Sequence, residues 1–150
     1  MRHDDGRHCN ELGEADIVLT GISRTGKTPL SMYLAMRGYK TANVPLVKGL
    51  EAPRELFEVE AGKVVGLMIE PGPLVERRRR RQQHLGGAGL GAYAAPREVF
   101  EELEYAREVF RRGRFAIIDA TLKPIEESAS EVVAVVARRT GLEVWSRSPF

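Results

Sequence analysis

Eight consecutive residues, Gly21-Ile22-Ser23-Arg24-Thr25-Gly26-Lys27-Thr28, satisfy the spacing G-x-x-x-x-G-K-[ST] in full. Each residue type in that spacing has a part in gripping phosphate. Glycines let the backbone wrap closely, so that amide N–H groups point inward at an anion. A helix N-terminus behind the loop adds partial positive charge. Lys27 supplies a mobile point charge for the outer phosphates, and the Thr28 hydroxyl is a ligand for Mg²⁺. The expected ligand is a purine nucleotide, ADP or ATP, with all eight residues in the binding loop. Pro29 follows directly and has no N–H to offer an inner phosphate. The expectation is a weaker inner grip, with the outer phosphate positions dominant.

Phosphoryl transfer also needs an acid to orient Mg²⁺. Asp119 stands at the end of the apolar run Phe115-Ala116-Ile117-Ile118 and is the favoured candidate, so Thr28 and Asp119 form the expected metal pair. Glu70 holds the same place after Val64–Ile69 and is the alternative. Either could equally be a strand-end acid capping the next helix. The five consecutive arginines Arg77–Arg81 encircle a helix, because successive residues turn by about 100 degrees. A solvated helix is the plain reading. The functional one aims Arg78 and Arg81, one turn apart, at phosphate, since a guanidinium pairs with it through two hydrogen bonds. Arg24, inside the loop, is a further phosphate contact candidate.

These residues need elements to position them. Ile17-Val18-Leu19 reads as a buried parallel strand leading into the loop, and Leu30 to Met36 as the helix leaving it, ended by Gly38. Asn43–Val47, weakened by Pro45, Val64–Ile69 and Phe115–Ile118 read as further strands. Leu74–Leu85, Glu98–Arg112 and Ile125–Arg139 read as helices, the last ended by Gly141. Alternating strands and helices predict an α/β fold: a three-layer P-loop nucleotide-binding domain with a mainly parallel sheet of about four to five strands. A polar arm over residues 1–14 precedes this domain, 15–141, and a tail over 142–150 follows it. Trp145 is expected to pack on the domain edge or fray, in preference to binding ligand.

Composition fits one ordinary globular domain: 150 residues, 43% hydrophobic and 29% charged, with a net charge of +2. That balance makes no case for nucleic acid, and no aromatic platform accompanies the arginine run. Cys9 has no partner cysteine, no apolar run approaches the roughly 18 residues of a membrane span, and residues 1–6 lack the apolar core of a signal peptide. A cytoplasmic location is expected. Gly87–Ala92 imitates a dinucleotide fingerprint but follows a helix, so it reads as a loop, suited to a lid; His84 beside it reads as exposed.

From the loop onward the chain resembles the bacterial and plant regulatory proteins of pyruvate, phosphate dikinase and of phosphoenolpyruvate synthase. The matching stretches include Gly21–Thr25, Lys27-Thr28-Pro29-Leu30-Ser31, Ala42-Asn43-Val44-Pro45-Leu46-Val47 and Glu102-Leu103-Glu104-Tyr105-Ala106, with His3-Asp4-Asp5-Gly6 upstream. Lys48 stands where a proline is usual in the family. The likeness implies a bifunctional enzyme. One activity is an ADP-dependent kinase that phosphorylates a threonine of the dikinase or synthase; the other is a phosphorylase that removes that phosphate with inorganic phosphate, releasing pyrophosphate. It also implies an aspartate of the His-Asp-Asp-Gly motif, Asp5, as the base for the acceptor hydroxyl. Family members are about twice as long, with an N-terminal half ahead of that motif, so a fragment or a shortened gene is expected here. A small-molecule P-loop kinase and a non-catalytic nucleotide-binding fragment are the competing readings. Which of the two target enzymes is the partner, and whether the chain pairs as a homodimer, stay open at this point.

Overall fold

A computed structural model describes residues 9–84 and 94–142. Strands β1 (Ile17–Gly21), β2 (Thr41–Pro45), β3 (Val64–Met68) and β4 (Ala116–Asp119) form one sheet in the order β2-β1-β3-β4, and every pairing is parallel. Helices α1 (Lys27–Met36), α2 (Pro71–His84), α3 (Pro96–Gly113) and α4 (Ile125–Thr140) connect and cover it. β1 lies between β2 and β3, so the chain leaves β1 to one side of the sheet and reaches β3 and β4 on the other. That makes the C-terminal end of β1 the switch point at which open α/β sheets take ligands.

Strand side chains alternate between faces, and this splits the core in two. Ile17 and Leu19 of β1 pack with Val65, Leu67 and Ile118 against Leu30 and Leu34 of α1 and Ala129, Val132 and Val136 of α4. Val18, Val44, Val64 and Met68 face the other way, onto Leu74 and Val75 of α2 and Val99, Leu103, Ala106 and Phe110 of α3. The result is the expected three-layer α/β arrangement. Burial on both faces explains why β1 and β3 are buried at every position and read as continuous apolar runs. β2 spans 41–45 instead of 43–47: Pro45 closes it, on an edge strand, where a missing N–H costs least.

α1 ends in a Schellman motif. The Gly38 N–H donates to the Ala35 carbonyl and the Tyr39 N–H to that of Leu34, with Gly38 at φ 100° and Tyr39 buried in the same cluster as Leu34. Gly66 of β3 is required by packing, because a Cβ there would lie 2.7 Å from ring atoms of the fully buried Phe110. Gly66→Ala should therefore cost about 1–3 kcal/mol through overpacking. Urea unfolding checks this; an unchanged midpoint would show that Phe110 can yield.

Candidate functional site

The loop between β1 and α1 takes its shape from two left-handed residues, Arg24 at φ 69° and Gly26 at φ 98°. Gly26 is the N-cap of α1, in a conformation that glycine adopts without strain. Side chains inside the loop tie it together. The Thr25 hydroxyl donates to the Ile22 carbonyl at 2.9 Å, and Lys27 Nζ donates to the same oxygen at 2.8 Å. Ser31 Oγ donates to the Thr28 carbonyl, and Asn43 of β2 donates in turn to Ser31 Oγ, fixing the first turn of α1 to the sheet. Pro29 sits in that first turn. The first helical hydrogen bond beyond it, from the Leu30 N–H to the Gly26 carbonyl, is made at 3.1 Å.

An open cleft of ≈ 500 Å³ lies over the loop. Gly26, Lys27, Thr28 and Pro29 form one wall, and Arg24, Arg77, Arg80 and Arg81 bring four guanidinium groups to it. Among the described residues no carboxylate lines this cleft, and the first turn of α1 carries no acidic residue. The arginine run is thus divided by helical periodicity. Positions 77, 80 and 81 share one face and meet the cleft, so Arg77 is the residue one turn from Arg81.

Arg78 points elsewhere. It lies one turn after Leu74 on the inward face of α2 and is fully buried. Its guanidinium grips Glu102 of α3 through both oxygens, at 2.9 and 3.1 Å, and donates to the Ser23 carbonyl of the loop at 3.1 Å. The expected aim of Arg78 at phosphate is therefore corrected: it braces the loop from behind, while Arg81, exposed, faces the cleft. The Leu74-to-Arg78 spacing is the signal in the sequence, since it places Arg78 on the core stripe.

Asp119 ends β4, separated from β1 by β3, whereas Glu70 follows β3 itself. Neither lines the cleft. Asp119 Oδ1 accepts the Thr121 N–H at 2.9 Å, and Thr121 Oγ1 accepts the Glu70 N–H at 2.8 Å, tying the two strand ends together. The Thr121 hydroxyl and then its N–H hold the Asp119 carboxyl below the usual aspartate range, against the opposing effect of burial, with a lesser contribution from the charge on Lys123. The contribution of this network to stability is thus complete above the unfolded aspartate pKa of about 3.9, and is lost as pH falls through the lower folded value. Thr121→Val should raise the Asp119 pKa toward the ordinary value; a carboxyl NMR titration that shows no rise would assign the shift to Lys123 instead.

Lys48 reaches Glu98 and Glu101 at the start of α3, at 2.9 and 2.7 Å, a contact that a proline there could not make. Being on the surface, it contributes little. Asp5 with His3 and Asp4, the glycine segment 87–92, and Trp145 lie outside the described residues, as do the side chains of Cys9 and His84. No group of three or more His, Cys, Asp or Glu side chains fit to hold a metal occurs among the described residues. None of the described helices is long and apolar enough to cross a membrane.

The sheet, its switch-point loop and the cleft beside it define an α/β domain with a cationic opening at the end of β1. A family model described as kinase/pyrophosphorylase matches residues 1–133, and the chain belongs to that family. A relative from Geobacter metallireducens is 49% identical over 134 residues, covering 89% of this chain and 50% of its own length. One from Chloroflexus aurantiacus is 49% identical over 139 residues, covering 93% and 50%. Both carry, as a provisional name, pyruvate, phosphate dikinase regulatory protein. The chain spans about half the length of the curated relatives it matches.

Proposed function

We propose that this chain carries the nucleotide site of a bifunctional regulator of pyruvate, phosphate dikinase or phosphoenolpyruvate synthase. In the kinase direction it moves the β-phosphoryl group of ADP to a threonine hydroxyl of the target, with AMP leaving. In the phosphorylase direction inorganic phosphate takes that group back and pyrophosphate is released. The observation that carries this reading is the cleft itself. Lys27 and four arginines surround an opening at the N-terminus of α1, with no carboxylate among the described residues of its walls. Such a surface suits phosphate groups, and both directions bring several together.

The donors present fit Mg²⁺ only in company with phosphate. Thr28 offers a hydroxyl on the cleft wall, whereas Asp119, at the end of β4, lies outside that wall, so Thr28 and phosphate oxygens would hold the ion. Mg²⁺ keeps several waters and takes phosphate oxygens readily, so one or two protein ligands suffice. The base for the acceptor hydroxyl is assigned to Asp5, on the family motif.

The test is transfer of radiolabel from [β-³²P]ADP to purified dikinase and to purified synthase, with ATP as the competing donor. Label on a target threonine, with ADP preferred, supports the reading. Transfer to a metabolite with ATP preferred replaces it with a small-molecule kinase, and ADP binding without any transfer leaves a nucleotide-binding module alone.

A further inference from the structure

A second cavity, of ≈ 240 Å³, opens beside the cationic cleft, and Gly26, Pro29 and Arg77 line both. The two are therefore neighbouring parts of one surface, with the first turn of α1 and Arg77 at their junction. The cavity is the less cationic of the two, with Arg77 and Lys123 as its two cations. The cleft is walled by five cationic side chains. Apart from the shared Gly26 and Arg77, the cavity is walled by Thr25 of the loop, by Pro29 and Leu30 of α1, by Ala120 and Lys123 of the turn after β4, and by Ile125 and Ser128 of α4. Apolar walls with a few polar groups are the makeup of a site for an organic ring system rather than for an anion. Its size falls below the roughly 300–1,000 Å³ of pockets that take a whole ligand, which suits one end of a longer molecule.

The junction residue is held for such a role. Arg77 donates to the Arg24 carbonyl at 3.3 Å, anchoring its guanidinium at the loop. A guanidinium plane stacks on aromatic faces as well as pairing with phosphate, so one arginine serves both compartments. On the opposite side the turn after β4 is fixed by the Ala120 N–H donating to the Met68 carbonyl, and by Lys123 Nζ donating to both oxygens of Glu131 at 2.8 Å. Both walls are thus set by contacts within the fold.

We propose that this cavity receives the nucleoside end of the nucleotide, its base lying against the Arg77 guanidinium and the apolar surface of Pro29, Leu30 and Ile125. The inference rests on the nucleotide reading above and deepens it. It also gives Pro29 a role, because the residue that removes an N–H from the phosphate site forms part of the wall for the base.

Calorimetry of the chain with ADP and with pyrophosphate, each with Mg²⁺, separates the two compartments, because pyrophosphate has no nucleoside. The wild-type chain should bind ADP at least about tenfold more tightly than pyrophosphate. Ile125→Glu places a charge on the apolar wall. Ile125 opens α4, where an acidic residue favours the helix, so the fold should persist. The variant should lose about tenfold in ADP affinity and less than about twofold in pyrophosphate affinity. Unchanged ADP binding, a parallel loss of both ligands, or a wild-type chain that binds the two equally would overturn the cavity assignment while leaving the phosphate site standing. Binding of neither ligand by the wild-type chain would overturn the nucleotide reading, and this inference with it.

Discussion

Glu102→Ala should destabilise the domain by about 3–5 kcal/mol, the cost of leaving a buried charge without its partner. The asymmetry of the pair sets the size of the effect. The Arg78 side chain is 0% exposed and that of Glu102 17%, so removing the carboxylate strands a cation that water cannot reach. Urea unfolding followed by circular dichroism measures the loss, and a change below about 1 kcal/mol would mean that the guanidinium finds another acceptor. Replacing both partners with apolar residues of similar length, Arg78→Met with Glu102→Leu, should restore most of the stability, because no buried charge remains.

The double variant isolates what the pair does for the site. Arg78 also donates to the Ser23 carbonyl, so the pair connects α3, α2 and the loop after β1 in one chain of contacts. With that connection gone and the core refilled, the loop loses its brace from α2 while Thr25 and Lys27 still hold the Ile22 carbonyl. Stability near wild type combined with weaker nucleotide binding is the expected outcome. Equal binding would confine Arg78 to a packing role.

The division of labour among the arginines shows where sequence reasoning stops. Apolar runs and helical periods locate the sheet, its helices and the loop, because burial on both faces leaves a continuous apolar signature in β1 and β3. A run of five identical residues hides the same period. Only the positions of Leu74 and Val75 before it reveal which arginine turns inward, and the partner Glu102 lies 24 residues away on another helix. The cavity beside the cleft is less legible still. Its walls come from α1, from the turn after β4 and from α4, which meet only because α1 and α4 pack on the same face of the sheet, with β3 linking β4 to β1. No local spacing encodes that. The missing N–H of Pro29 is evident from the sequence, whereas the surface it offers to the neighbouring cavity is not.

Lys27→Ala should reduce ADP affinity by about 2–5 kcal/mol, or roughly 30- to 5,000-fold, the usual cost of truncating one partner of a close charge pair. The same substitution should leave the fold nearly intact. Lys27 Nζ shares the Ile22 carbonyl with the Thr25 hydroxyl, so the oxygen keeps a donor when the lysine is removed. The stability change should then stay within about 1 kcal/mol, the net worth of one hydrogen bond. This pairing of a large affinity loss with a small stability loss is what distinguishes a ligand-binding lysine from one that only ties down its loop. Calorimetry with ADP and Mg²⁺, alongside urea unfolding of both proteins, reads the two quantities. An affinity loss under about tenfold would shift the main anionic grip to Arg24, Arg77, Arg80 and Arg81. A stability loss of several kcal/mol would mean instead that the lysine holds the loop's structure. Lys27→Arg refines the result: a planar fork cannot replace a compact ammonium where the loop closes tightly on phosphate, so it should fail to restore affinity although the charge is retained.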